Sequence, residues 1–199
     1  MMKRRSVVAG LMAGGLGALM GGRIAVAVEA GAAQAYVRST VEGLLEIVQG
    51  SGGAASKAAK LKSLMESRAA MPQIARFSAG AAWRDMSDDQ QDRFAAAFSH
   101  FLATVYARRF QSYAGQSVTV GDVVDESRKG ALVVSTVSQT DGAPIRVEWL
   151  VSDRGGAVKI ADIIIEGVSL VLTQRDEISG MLNARGGDVE KLIADLAAA

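Results

Sequence analysis

Few side chains in this sequence have the type and spacing to do chemistry. The chain of 199 residues holds no cysteine and a single histidine, His100. There is thus no thiol nucleophile and no His-rich metal site, and His100 offers at most one member of a triad. Neighbouring carboxylates stand at Asp88 and Asp89, Asp125 and Glu126, and Asp176 and Glu177. Each pair falls at a helix start, a turn or a helix surface, where solvated charge is the ordinary role. Asp162 and Glu166 differ, because they interrupt the apolar run "KIADIIIEGVSLVL" that starts at Lys159. Asp162 with Glu166, or Asp162 with an arginine, is the one acid–base arrangement the spacing offers to an enzyme on a cone-shaped α+β fold. In an extended strand both acids share a face opposite Ile163 and Ile165, and that face is expected to point away from the interior. Neither G-x-x-x-x-G-K-[ST] nor a strand-coupled G-x-G-x-x-G occurs among the 22 glycines. The reading is a protein that is not an enzyme, with no catalytic residue, metal or cofactor.

The elements that position these residues follow from the hydrophobic period. Val37, Val41, Leu44, Leu45 and Val48 predict a helix over 36–48, ended by "GSGGAAS". A thinner stripe, Leu61, Leu64 and Met65, predicts a helix over 57–70, and a shorter one follows Pro72 over 74–83. "SDDQ" at Ser87 is a capping box, and Asp88 and Asp89 suit the positive end of the helix dipole. In the helix it opens, Phe94, Phe98, Phe101, Leu102, Val105 and Tyr106 fall on one arc, with His100 on the opposite, solvent side. After Tyr113 the period becomes two. Strands are predicted over 118–124, 132–137, 145–151 and 158–166, joined by short turns and therefore antiparallel. Ile145, Val147, Trp149 and Val151 share one face of the third strand, and Ala161, Ile163 and Ile165 one face of the fourth. Ser169 is placed to cap a helix from Leu170, and "RGGD" separates it from a last helix over 189–196. The expected architecture is α+β: helices packed on one face of a four-stranded antiparallel sheet, with an apolar space or a solid core between them.

The N-terminus is expected to be a cleaved export signal over 1–27, leaving one domain over 28–199. Lys3-Arg4-Arg5 is its basic part, 7–20 its apolar part, and Ala25-Val26-Ala27 its cleavage pattern. The apolar part falls short of the roughly 20 residues of a membrane span, and the paired arginines hint at the twin-arginine route. Removing 1–27 takes four basic residues and no acid, which leaves 18 basic and 21 acidic residues and turns the formal charge from +1 to −3. No basic block large enough for nucleic acid remains. Nothing else reaches transmembrane length, so the mature chain is expected to be soluble, in the space outside the inner membrane.

The step Asp162, then Glu166-Gly167-Val168-Ser169, then a helix, resembles the C-terminal half of MlaC-type proteins, the periplasmic phospholipid-binding, toluene-tolerance family. The likeness continues in "RGGDVEKLIADL" and extends back through "PIRVEWLV", "ALVVSTV" and "DDQQDRFAAAFSHFLATVYARRFQSY", over roughly 33–196. Val158 and Ala161 depart from it, since many relatives carry aromatic residues there. The resemblance implies a soluble periplasmic carrier that shuttles phospholipid between an outer-membrane lipoprotein–porin complex and an inner-membrane ABC transporter with a substrate-binding ring. The alternative cargo is another lipid, such as a hopanoid. It implies an apolar pocket between sheet and helices, for which the residues named are Phe94, Phe98, Leu102, Val105, Val147, Trp149, Ile163 and Ile165. Val168, Leu170 and Ile178 are expected to close the mouth or far wall, and Arg109 and Arg146 to stand where a phosphate would lie.

Overall fold

The computed structural model describes residues 28–112, 115–127, 130–139, 142–154 and 156–199. The predicted export signal, 1–27, lies outside the described residues. The chain enters through α1 (Ala30–Gln49), whose first amides at Gly31 and Ala32 are capped by the Glu29 carboxylate. The Gly-rich stretch ends it, and α2 (Ala54–Arg68) follows. Next comes α3 (Met71–Ala79), with Pro72 in its first turn, where a missing N–H costs nothing. A 3₁₀ turn (Gly80–Arg84) leads to α4 (Asp88–Arg109), opened by the predicted capping box of Ser87 and Gln90.

The sheet runs β1 (Ser117–Ser127), β2 (Gly130–Ser138), β3 (Ile145–Ser152), β4 (Lys159–Ile165) and β5 (Val168–Ser169), each antiparallel to the next. The fold is α+β as expected, with one strand more. β5 is two residues long and too short to show in a hydrophobic period. The chain closes with α5 (Leu170–Asn183) and α6 (Val189–Ala197).

Apolar packing falls into two bodies. In the first, Phe94, Phe98 and Phe101 of α4 pack against Met71 and Ala75 of α3, Ile178 of α5, and Leu192, Ile193 and Leu196 of α6. Phe94 and Phe98 stack with centroids 5.8 Å apart. In the second, Val37 and Val41 of α1 lie on the inner sheet face, against Ala131, Val133, Val147, Trp149, Val151 and Ile160. The buried Trp149 indole N–H donates to Ser135 Oγ at 2.8 Å, which explains a serine at the centre of that face. β4 departs from strict alternation. Trp149 pairs with Ile163, but past a register shift Val151 pairs with Ile160. The bulge sets aside Ala161, and Ile160, not Ala161, continues the inner face. Ala69, between α2 and α3, bridges to Ile160, and Ala70 N donates to Ile160 O at 2.9 Å. The helical layer is thereby hitched to the sheet.

Candidate functional site

Between the two packed bodies lies a cavity of about 460 Å³. Its walls come from nearly every element. α1 gives Val41, Leu44, Leu45 and Val48, and α2 gives Leu61, Leu64 and Met65. The sheet gives Val118, Val137, Val147, Trp149, Ile160, Ile163 and Ile165, while α4 and α5 give Leu102, Tyr106, Leu170 and Val171. The lining is almost wholly apolar and mostly aliphatic, with Tyr106, Phe110 and Trp149 as its aromatic members, a texture that suits a flexible chain. Polar residues are few: Thr40, Arg68, Arg109, Asp162 and Gln174. Among the lining residues Arg109 is the exposed one, which places the mouth at the C-terminal end of α4.

Six of the expected lining residues meet at this cavity: Leu102, Val147, Trp149, Ile163, Ile165 and Leu170. Five do not. Phe94, Phe98 and Ile178 are sealed in the helical core, and Val105 packs on its edge. The arc on α4 is shared between two neighbours: its N-terminal half faces α3 and α6, and only Leu102 and Tyr106 reach the cavity. Val168 is 58% exposed, because β5 is an edge strand and its side chain points outward. Sequence reading named no lining residue on α1 or α2, yet they form much of one wall. The signal was the thin stripe of α2, where Leu61 alone is fully buried. A helix with so little packing faces either solvent or a space.

The two acids of the diagnostic run do different things. The Asp162 carboxylate accepts from its neighbour's amide Ile163 N at 2.8 Å, Ser169 Oγ at 2.6 Å and Val171 N at 3.1 Å. Its backbone sits on the outer-face register, but the carboxylate turns to the start of α5 and borders the cavity, contrary to the expected outward direction. Ser169 Oγ in turn accepts from Leu172 N at 3.1 Å, the predicted cap. Glu166 and Gly167 both have positive φ, 49° and 81°, and form the two-residue hairpin loop between the paired Ile165 and Val168. The Glu166 carboxylate accepts from Arg146 N, and its own N–H donates to Arg146 O at 3.0 Å. Both acids are therefore held by main-chain and hydroxyl donors and are not paired with each other. His100 is half-buried against α6 rather than in open solvent, beside Ile193 and Ala197.

Of the two arginines considered for a phosphate, Arg109 borders the cavity and lies 5.3 Å over the Tyr106 ring. Arg146 points elsewhere and pairs with Glu148 at 2.6 Å. Arg68, not singled out from sequence, also borders the cavity; it lies 5.3 Å over the Tyr36 ring and donates to Ser39 Oγ at 3.3 Å. Burial pushes the Tyr106 phenol above its ordinary range, so it stays protonated.

A family model described as "MlaC protein" matches residues 38–198, most of the chain. The chain belongs to the MlaC family. It is 26% identical over 110 residues to the toluene tolerance protein ttg2D of Pseudomonas putida, a match spanning 55% of this chain and 51% of that protein. The chain thus aligns with about half the length of that curated relative. A solved structure of a phospholipid-binding protein from Ralstonia solanacearum, in complex with a phospholipid, superposes with a TM-score of 0.65. It is 23% identical, and the match covers 83% of this chain and 98% of that one, a likeness of fold. In this MlaC-family chain, the Asp-x-x-x-Glu-Gly-Val-Ser run is the joint that turns β4 into α5 at the cavity's edge. Among the described residues, no helix is long and apolar enough to cross a membrane, and no cluster of candidate metal ligands occurs.

Proposed function

We propose that this protein is a periplasmic lipid carrier, which holds the acyl chains of one phospholipid in the cavity and moves it between the outer and inner membranes. The observation that carries the reading is the apolar cavity itself. At the cost measured for closed cavities in protein cores, about 24 cal/mol per Å³, a space of 460 Å³ sealed and empty would cost at most about 11 kcal/mol, and its open mouth lowers that figure. The upper figure rivals the whole stability of a domain, about 5–15 kcal/mol. A fold that keeps such a space has something to put in it. Exposing even five methylenes of a lipid tail costs about 4 kcal/mol, so a carrier must cover nearly all of both tails. Family membership and a phospholipid-bound structure of the same fold support this cargo. Loading from an outer-membrane lipoprotein–porin complex, and delivery to an inner-membrane ABC transporter with a substrate-binding ring, are the partner roles in this reading.

The test is extraction of purified protein with organic solvent and mass spectrometry of the extract, expected to give roughly one lipid per chain. A folded protein with no bound lipid and no uptake from liposomes would end the proposal. Ile163→Arg and Val147→Arg place a charge on the cavity face of the sheet, and both are expected to lower occupancy while circular dichroism stays native.

A further inference from the structure

Resting on the carrier reading, a more specific feature stands at the mouth. Gln174 of α5 borders the cavity, is only 4% exposed, and its Oε1 finds no hydrogen-bond donor among the described residues. Its Nε2 donates to Glu177 Oε2 at 3.2 Å. An ionised carboxylate only accepts, so Glu177 fixes which way the amide points and leaves the carbonyl oxygen as the unmet group. A buried acceptor without a donor is costly, and native structures retain few. Ser78 Oγ is the other such atom among the described residues, but it is buried on α3 and does not line the cavity. Gln174 is the one a ligand can reach, because it lines the cavity and Ser78 does not.

The charges around it have a pattern. Arg109 stands at the exposed end of the lining, over Tyr106, and the charges of both Arg109 and Glu177 act on the Tyr106 phenol. The Arg109 cation, the Glu177 carboxylate and the orphaned carbonyl oxygen of Gln174 therefore gather around Tyr106, at the end of the cavity that Arg109 marks, with Glu177 just behind the lining. We propose that this mouth selects a zwitterionic headgroup whose cation still carries N–H donors, an ethanolamine-type phospholipid, with its ammonium on Gln174 Oε1 and the Glu177 carboxylate and its phosphate towards Arg109. A choline headgroup matches the charges but has no N–H to give. A glycerol headgroup has O–H donors but no cation for Glu177.

The experiment strips the full protein of lipid and equilibrates it with vesicles holding equal amounts of four phospholipids with identical acyl chains. Their headgroups are ethanolamine, its N-methyl and N,N-dimethyl forms, and choline, and the bound lipid is counted by mass spectrometry. The three heads with an N–H are expected at comparable levels, with choline about fivefold lower or more, the factor set by one unmet buried acceptor. Even loading of all four overturns the inference and leaves the carrier reading standing. No loading of any overturns the carrier reading, and the inference with it. Gln174→Leu and Gln174→Met are expected to flatten the series. A step at choline that survives in both variants shows the size of the head, not Gln174, to be the selector, and overturns the assignment.

Discussion

Asp162 is a single carboxylate that serves three donors from three places: the next residue of its own strand, the capping serine and the first turn of α5. Replacing it by alanine leaves two main-chain amides short of an acceptor and frees Ser169 from its strand. Asp162→Ala is therefore expected to lower stability by about 1–3 kcal/mol, read as a lower urea midpoint with an unchanged slope. Lipid occupancy should fall with it, since Leu170 and Val171 line the cavity from the turn that Asp162 holds. Asp162→Asn, which keeps an acceptor oxygen, should lie between the two. If Asp162 were half of a catalytic pair, the conservative variant would instead be as damaging to function as the alanine, with stability intact.

At the scale of elements, α4 and α6 are clasped by a charged group far from the cavity. Arg93 of α4 donates to both oxygens of Glu190, at 2.7 Å each, and Gln90 of the capping box donates to the same carboxylate at 2.9 Å. These bonds, from Arg93 first, hold the Glu190 carboxyl at about 2, below its ordinary 4.5. A lowered carboxyl favours the fold at every pH above its ordinary value, and the contribution fades as pH falls from about 4.5 to about 2. The difference in Tm between the wild type and Glu190→Gln should thus be constant at neutral pH, close over that window, and shrink in high salt because the group is exposed. Most elements, though not this clasp, were legible in sequence. The capping box, Pro72, the strand alternation and the Ser169 cap are each local, and local chemistry decided each. What escaped depended on neighbours. The two-residue β5 has no period, the bulge at Ala161 breaks one, and the division of the α4 arc between core and cavity is set by where α2, α3 and α6 lie. For the same reason Leu102 and Phe98, identical in pattern, have different surroundings, and nothing in its local spacing marks out Gln174.

At the scale of the whole molecule, two packed bodies share the work of stability and leave the space between them to something else. A ligand that fills it adds stability in proportion to the logarithm of its concentration over its Kd, about 2.7 kcal/mol at a hundredfold excess. Lipid-stripped protein is therefore expected to melt several degrees below the loaded form, and to recover on incubation with phospholipid vesicles; equal melting temperatures would mean that the cavity is not where lipid binds. The division also has a mechanical consequence. A solid core resists small changes in volume, because every side chain in it is already in contact. Here the aliphatic walls on α1 and α2 meet the sheet and α4 across a seam, while the aromatic stacks and the Trp149–Ser135 bond lie on either side of it. The seam is the part without close packing, tied at one end where Ala69 and Ala70 meet Ile160. Side chains that border it can change rotamer with neither packed body rearranged, so acyl chains of different length are expected at similar occupancy when the protein is loaded from vesicles of mixed chain length and the bound lipid is read by mass spectrometry. Stiffness belongs to the two plates, and room to adapt to the space they leave between them.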